Sequence, residues 1–383
     1  MNIKTILKCV TCVALTVSMY FVAPTNAKAI TADEITAPSA ILMDEKTGTV
    51  LFEKDAHQKR ACASITKVMT LTLVFEALDS DKIKMTDMVT ASKHASSMGG
   101  SDIWLEEGEQ LSVDDMIKAT TVASANDTAV ALAEYVSGSE EEFVRQMNKK
   151  AKELNMKETT FKNCNGLDEE GHITSAYDVA IMSKELMKHK EILNYSGIWI
   201  DYLRDGATQI VNTNKLLKTY KGITGLKTGT TNDAGSCISA TATRDKLSLI
   251  AVVLGSKTGK ERFADASKLL DYGFANYVTV TPKLEKQLKE VEVANGMIKT
   301  VATTAKIEGS MLVEKADKDK IECKIEYKKD LVAPIKEGDT VGNIKYYIGE
   351  KEVCSYNITA QSNIEEISFE SVLELLYKCL IMT

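Results

Sequence analysis

Two groups of strand-like segments stand at opposite ends of a helical block, and that order restricts the fold more than any other feature of the chain. The first group spans 40–54, where Ala-Ile-Leu-Met-Asp and Thr-Val-Leu-Phe-Glu-Lys flank a Lys-Thr-Gly turn and predict a hairpin. The second spans 226–254. Residues 226–230 read as a strand, 237–243 alternate, Arg244-Asp245-Lys246 supplies a turn, and 247–254 are nearly continuously apolar. Between the groups, Ile65, Val68, Met69, Leu71, Thr72 and Phe75 recur at helical spacing over a broad face. Further helical stretches are predicted at 113–121, 127–136 and 143–154, and 262–274 returns to helix. Strands, helices, strands and a last helix fit an α+β domain with one antiparallel sheet whose first and last strands can be neighbours.

After about residue 278 the pattern changes. Segments 321–327, 341–348 and 352–358 alternate or are β-branched, with Gly-Asp and Gly-Glu turns between them, and predict a small all-β domain over 279–363. The last stretch, 364–383, is an amphipathic tail. Read as a helix, 368–383 gathers Glu370, Glu374 and Lys378 into a narrow polar stripe, with Phe369, Val372, Leu373, Leu376, Tyr377, Leu380 and Ile381 around the rest. At 1.5 Å per residue it is ~24 Å long, short of the ~30 Å hydrocarbon core, so it should lie in a membrane interface and not span. A helix docked on the protein's own β domain is the alternative.

With 383 residues the chain has room for two domains, and 44% hydrophobic with 26% charged residues is ordinary for a soluble globular protein. A net charge of -7 speaks against nucleic acid as a partner. At the start, Lys4 and Lys8 precede the largely apolar run 10–23, and Ala27-Lys28-Ala29 matches an A-x-A cleavage site. Residues 1–29 are therefore predicted to be a signal peptide, with the mature, exported chain beginning near Ile30; an uncleaved membrane anchor is the alternative. Cys9 and Cys12 would leave with that segment. Six cysteines remain, at 62, 164, 237, 323, 354 and 379, which permit three disulfides without demanding any. Their spacing is irregular, with no C-x-x-C pair among them, and the chain has only four histidines. No metal or other cofactor is expected, and the cysteines read as mostly buried thiols.

Three short motifs carry chemistry. Ser64-Ile65-Thr66-Lys67 is the only S-x-x-K in the chain, and residues three apart on a helix share a face, so the Lys67 amine can reach the Ser64 hydroxyl. Burial or a neighbouring cation would lower the Lys67 pKa enough for it to act as a base. Ser124-Ala125-Asn126 falls between two helical stretches, where a hydroxyl and an amide could relay a proton and orient a substrate amide. A second S-x-N, at 355–357, lies in a predicted strand and reads as structural. Lys227-Thr228-Gly229 opens a strand, offering a cation and a hydroxyl to a carboxylate and a glycine that admits a substrate backbone. Lys-Thr-Gly recurs at 46 and 257, where turn chemistry explains it.

In that order the three motifs resemble the set shared by β-lactamases and penicillin-binding proteins. The resemblance is closest to the low-molecular-mass penicillin-binding proteins, the serine D-Ala-D-Ala carboxypeptidases. It extends to 63–70, 126–134, Asn165-Gly166-Leu167-Asp168 with Gly171-His172, and 227–230 followed by Ala234-Gly235. It implies a transpeptidase-like catalytic domain over 30–278, acylation of Ser64, and proton removal by Lys67. Ser124 would relay the proton to the leaving D-alanine and Asn126 would hold the substrate amide. Lys227 and Thr228 would meet the terminal carboxylate, with Arg262 as a second contact, and Gly229 would let the substrate approach the strand. The backbone N–H groups of Ser64 and Thr230 would form the oxyanion hole. Peptidoglycan stem peptides, β-lactams as covalent inhibitors, and a membrane surface held by the tail are the implied partners, at the outer face of the cytoplasmic membrane. His172 is expected to be structural and Asp127 to cap the next helix.

Two positions depart from the family pattern: Cys62 stands where Pro is frequent, and Ala125 where Gly is common. Cys62 is either a buried thiol or a partly exposed one activated by a helix N-terminus. A class A β-lactamase would need a deacylating Glu followed four residues later by Asn, and no Glu between Ser124 and Lys227 has that spacing. A catalytically silent penicillin- or peptidoglycan-binding protein is the remaining alternative, against which the intact Ser64, Lys67, Ser124 and Lys227 speak.

Overall fold

A computed structural model describes residues 30–284 and 286–381; the predicted signal peptide lies outside the described residues. The hairpin forms as β1 (Ser39–Asp44) and β2 (Val50–Lys54), closed by the Lys46-Thr47-Gly48 turn. A helical block follows, with α1 (Lys67–Asp79), α2 (Val113–Val122), α3 (Asn126–Ser137), α4 (Glu140–Glu153) and α5 (Ala176–Leu186). Then come β3 (Ile223–Thr231), β4 (Gly235–Arg244), β5 (Leu247–Ser256) and α6 (Gly259–Asn276). The strands form one antiparallel sheet in the order β2-β1-β5-β4-β3. First and last strands are neighbours as expected, Ser39 standing opposite Leu254 and Asp44 opposite Leu249.

The apolar run of β5 is explained by burial on both faces. Side chains alternate across a strand, so Leu249, Ala251 and Val253 join Ala40 and Leu42 in packing against Ala266, Leu269, Leu270 and Phe274 of α6. The alternate residues Ile250, Val252 and Leu254 join Ile41 and Met43 in the larger core under the helical block. Helix α1 is the axis of that block. Ten of its thirteen residues are buried, and the hydroxyls of Thr70 and Thr72 are satisfied by the carbonyls of Cys164 and Val68. The third Lys-Thr-Gly caps a helix: the Thr258 hydroxyl and the Glu261 carboxylate make a reciprocal capping box at the start of α6.

Beyond α6, strand 277–280 pairs with 311–314, and β6 (Thr303–Ala305), β7 (Ile321–Tyr327), β8 (Thr340–Ile348) and β9 (Lys351–Ala360) form a second antiparallel sheet ordered β6-β9-β8-β7. Its core gathers Val341, Ile344, Tyr346, Ile358 and Ile364. The tail forms α7 (Phe369–Ile381). Among the described residues no helix is long and apolar enough to cross a membrane.

Candidate active site

Ser64 does not begin an α-helix as the periodicity predicts. It lies in a single 3₁₀ turn, Ala63–Thr66, that runs into α1 at Lys67. Three residues per turn eclipse positions i and i+3 more closely than an α-helix does, which stands Lys67 over Ser64. Two glycines set this backbone in place. A Cβ on Gly166 would fall 2.0 Å from the Ala63 carbonyl oxygen, and one on Gly229 would fall 2.8 Å from the Ser64 nitrogen and 2.9 Å from the Cys62 oxygen. The Asn165-Gly166 turn and strand β3 therefore press on the turn from two sides.

The Lys67 side chain is fully buried, and its ammonium donates to Ser64 Oγ at 3.1 Å, Asn126 Oδ1 at 2.5 Å and the Asn165 carbonyl at 2.7 Å. Three acceptors use all three protons. Burial lowers its pKa from 10.5 to about 7, opposed by Cys164, Asp102 and Asp127. A base can thus exist unprotonated near neutral pH within hydrogen-bond reach of a hydroxyl.

Ser124 sits at positive φ, +64°, in the short turn between α2 and α3, and its Oγ accepts from Lys227 Nζ at 2.7 Å. Asn126, the first residue of α3, accepts from Lys67 and donates through Nδ2 to the Gly99 carbonyl at 2.7 Å. Strand β3 is an edge of the sheet and carries Lys227, Thr228, Gly229 and Thr230. Lys227 is buried, and burial first, then Lys67 and Arg262, hold its pKa well below the usual lysine range. The Thr228 hydroxyl shares a 2.6 Å hydrogen bond with that of Thr213. Arg262, from α6, donates through Nη1 to the Gly229 carbonyl at 2.8 Å and to Thr230 Oγ1 at 2.9 Å, while its Nε is buried without a partner. Lys67, Lys227 and Arg262 are all buried basic side chains, and no carboxylate lies in ion-pair contact with any of them among the described residues.

One neighbour differs from expectation. Asp127 does not cap α3 from outside. It lies in the first turn of the helix, where Oδ1 accepts from the Thr128 N–H at 2.8 Å and Oδ2 accepts from the N–H groups of both Ile103 and Leu105, fixing the segment that crosses Asn126. His172 is buried and bridges two elements, with Nδ1 accepting from the Lys162 N–H and Nε2 facing the Thr66 hydroxyl at 2.7 Å. Burial lowers its pKa to about 4, in keeping with a structural role. Cys62 is buried with its thiol pushed up to about 12 by burial, so the activated-thiolate alternative is set aside. Cys164 and Cys237 are also buried and Cys323 and Cys354 are half-buried, these four and Cys62 being free thiols, and Cys379 is exposed. The Asn165 carbonyl, the Gly99 carbonyl and Thr213 are contacts that the motifs do not announce. Among the described residues no cluster of His, Cys, Asp and Glu could hold a metal ion.

The family profile described as D-alanyl-D-alanine carboxypeptidase matches residues 26–258. The chain belongs to the D-alanyl-D-alanine carboxypeptidase family. A second profile, the C-terminal domain of penicillin-binding protein 5, matches 278–366 of this carboxypeptidase. It is 43% identical over 343 residues to D-alanyl-D-alanine carboxypeptidase DacF of Bacillus subtilis, covering 88% of each chain. It is 36% identical to DacC of Escherichia coli, over 92% of this chain and 90% of the relative. Penicillin-binding protein 5 from Haemophilus influenzae superposes with a TM-score of 0.77 at 32% identity, over 88% of this chain and all of that one. Penicillin-binding protein D2 from Listeria monocytogenes, solved with ampicillin bound, superposes on 63% of this chain with a TM-score of 0.58 at 31% identity and 98% of its own length. The reading as a serine-type carboxypeptidase with a transpeptidase-like domain, a β domain and a terminal helix is borne out.

Proposed function

We propose that the chain removes the terminal D-alanine from peptidoglycan stem pentapeptides through an acyl-enzyme on Ser64. The observation that carries the roles is the set of three buried basic side chains, Lys67, Lys227 and Arg262, with no carboxylate beside them, around two serine hydroxyls. Such charges are costly to bury unpaired, and a substrate carboxylate entering beside Lys227, Thr228 and Arg262 supplies the missing anion. Neutral Lys67 takes the Ser64 proton as the hydroxyl attacks the carbonyl between the two D-alanines. Ser124, polarised by Lys227, relays that proton from Lys67 to the departing amine, giving up its own proton as it receives the one from Lys67, and Asn126 holds the substrate amide. The N–H groups of Ser64 and Thr230 receive the developing oxyanion, each worth about 3–4 kcal/mol in such sites. Water then releases the shortened stem. A β-lactam presents its amide at the same place and acylates the same hydroxyl, consistent with the ampicillin complex of the Listeria protein.

The domain division we adopt is 1–29 as signal peptide, 30–278 as catalytic domain, 279–363 as β domain and 364–383 as a membrane-association tail. The signal-like pattern of residues 1–29 and the amphipathic tail support action at the outer face of the cytoplasmic membrane. Exposure supports the tail's role: Phe369 is 86% and Tyr377 65% exposed, as a helix docked on its own β domain would not be. A labelled penicillin tests the site. The wild-type protein should carry one covalent label and release D-alanine from a pentapeptide, and Ser64→Ala should do neither. An adduct persisting in Ser64→Ala would overturn the assignment.

A further inference from the structure

Trp104 is displayed in a way that packing does not account for. Its side chain is 80% exposed and stacks on no ring among the described residues, yet its backbone is held at φ +55°. A bulky aromatic residue rarely adopts that left-handed conformation, and such residues concentrate at ligand sites. The segment is fastened on every side. The flanking N–H groups of Ile103 and Leu105 both donate to the buried Asp127 carboxylate, at 3.1 and 3.0 Å. From the other side, Arg204 donates to the carbonyls of Ile103 and Trp104, at 3.0 and 3.4 Å, and is itself paired with Glu109. Three residues upstream, the Ser101 carbonyl accepts the Asn126 N–H at 2.6 Å. An indole is thus presented to solvent on a rigid arm anchored at the second motif of the active site.

We propose that Trp104 is a saccharide subsite, on which a sugar ring of the glycan strand stacks while the stem peptide attached to it occupies the catalytic cleft. This rests on the reading of the site as one that cuts peptidoglycan stems. Trp104 is three residues from Ser101, at most about 11 Å of chain, and an extended stem of four residues spans about 14 Å, so the polymer that carries the stem can reach the indole. The chemistry favours a sugar. The indole offers a flat apolar face with one N–H donor, suited to the apolar face and hydroxyls of a pyranose. Asp102, Glu106 and Glu107 flank it in sequence and would repel the carboxylates of a stem peptide, Glu109 being neutralised by Arg204. A neutral ring meets no such penalty.

The experiment compares three substrates with the full mature chain: a short acylated peptide ending in D-Ala-D-Ala, the same stem carried on its disaccharide, and that stem peptide with a free side-chain amine but no sugar. For Trp104→Ala the KM for the disaccharide substrate should rise about five- to tenfold, with kcat and the short peptide unchanged, and Trp104→Phe should recover most of the loss. Equal kinetics of Trp104→Ala and wild type on all three substrates would overturn the subsite. So would a loss shared equally by all three, which marks a structural role, or one already present with the sugar-free amine, which marks an ammonium site. Penicillin labelling of each variant reports an intact cleft. Failure of the wild type itself to cut the short peptide would sink the reading of the site and not the subsite.

Discussion

Lys67 shows how much one residue's environment decides. In water an ammonium with a pKa of 10.5 is useless as a base at neutral pH; burial brings this one to about 7, so half of it is neutral there. The acylation rate should therefore climb as pH rises through about 7 and level off once the amine is neutral. Lys67→Arg should lose the activity and the acid limb together, since a guanidinium keeps its proton; a stopped-flow penicillin assay giving the wild-type rate for that variant would contradict the base role. His172 carries the opposite lesson, a titratable group kept out of the chemistry. Its pKa falls from 6.5 to about 4 on folding. As pH drops below 6.5 the unfolded chain takes up a proton that the folded one refuses, so stability declines between about pH 6.5 and 4, by up to about 3 kcal/mol. Urea titrations at pH 7 and 5 should show this slope, and His172→Gln should flatten it; an equal slope in the variant would assign the loss to other groups.

Among the elements, β3 bears a close constraint at the site itself. It must lie against the Ser64 turn closely enough that Gly229 has no room for a Cβ, because the atoms it would meet are backbone and cannot swing aside. Gly229→Ala should push the strand away from the Ser64 nitrogen and cost about a hundredfold or more in acylation, the scale of a lost oxyanion donor. Retention of wild-type acylation with an unchanged melting temperature would show that the strand can yield. That Lys227-Thr228-Gly229 lies on a strand was legible in the sequence, because a Lys-Thr-Gly following the other two motifs has few readings once they are joined. The β1–β2 hairpin and the apolar β5 were legible as well, since two-residue alternation and continuous apolarity are local signals. Helix α5 and the hairpin 200–211 went unread: Ala-Tyr-Asp-Val-Ala-Ile-Met-Ser holds its apolar residues against several neighbours at once, and the hairpin exposes Ile200, Tyr202 and Val211, which blurs the pattern of inside and outside. The third acceptor of Lys67 was equally hidden. It is a backbone carbonyl, and carbonyls at Asn165 and Gly99 leave no trace in residue identity. Asp127 looked like a cap because Asp near a helix start usually is one, and only the fold brings Ile103 and Leu105 within its reach.

At the scale of the molecule, the catalytic domain, the β domain and α7 follow one another along the chain, and the helix ends it as an apolar, exposed surface. Removing 368–383 should abolish binding to phospholipid vesicles while leaving kcat/KM on a short peptide within about twofold. If the truncated protein unfolds, or the full mature chain ignores vesicles, the helix is structural. The central sheet has a further consequence, in time. Strand β1 is completed by β5, with Ser39 opposite Leu254, and everything between them must be present before the two can meet. A chain emerging from a ribosome can close the β1–β2 hairpin early but carries the other edge of β1 open through more than half its length, because long-range pairing cannot repay the entropy of loop closure until the last strand arrives. The central sheet cannot close until β5 is out. Mutations that weaken β5 should then act twice, once on the finished sheet and once by lengthening the interval in which β1 and β2 lie open to aggregation.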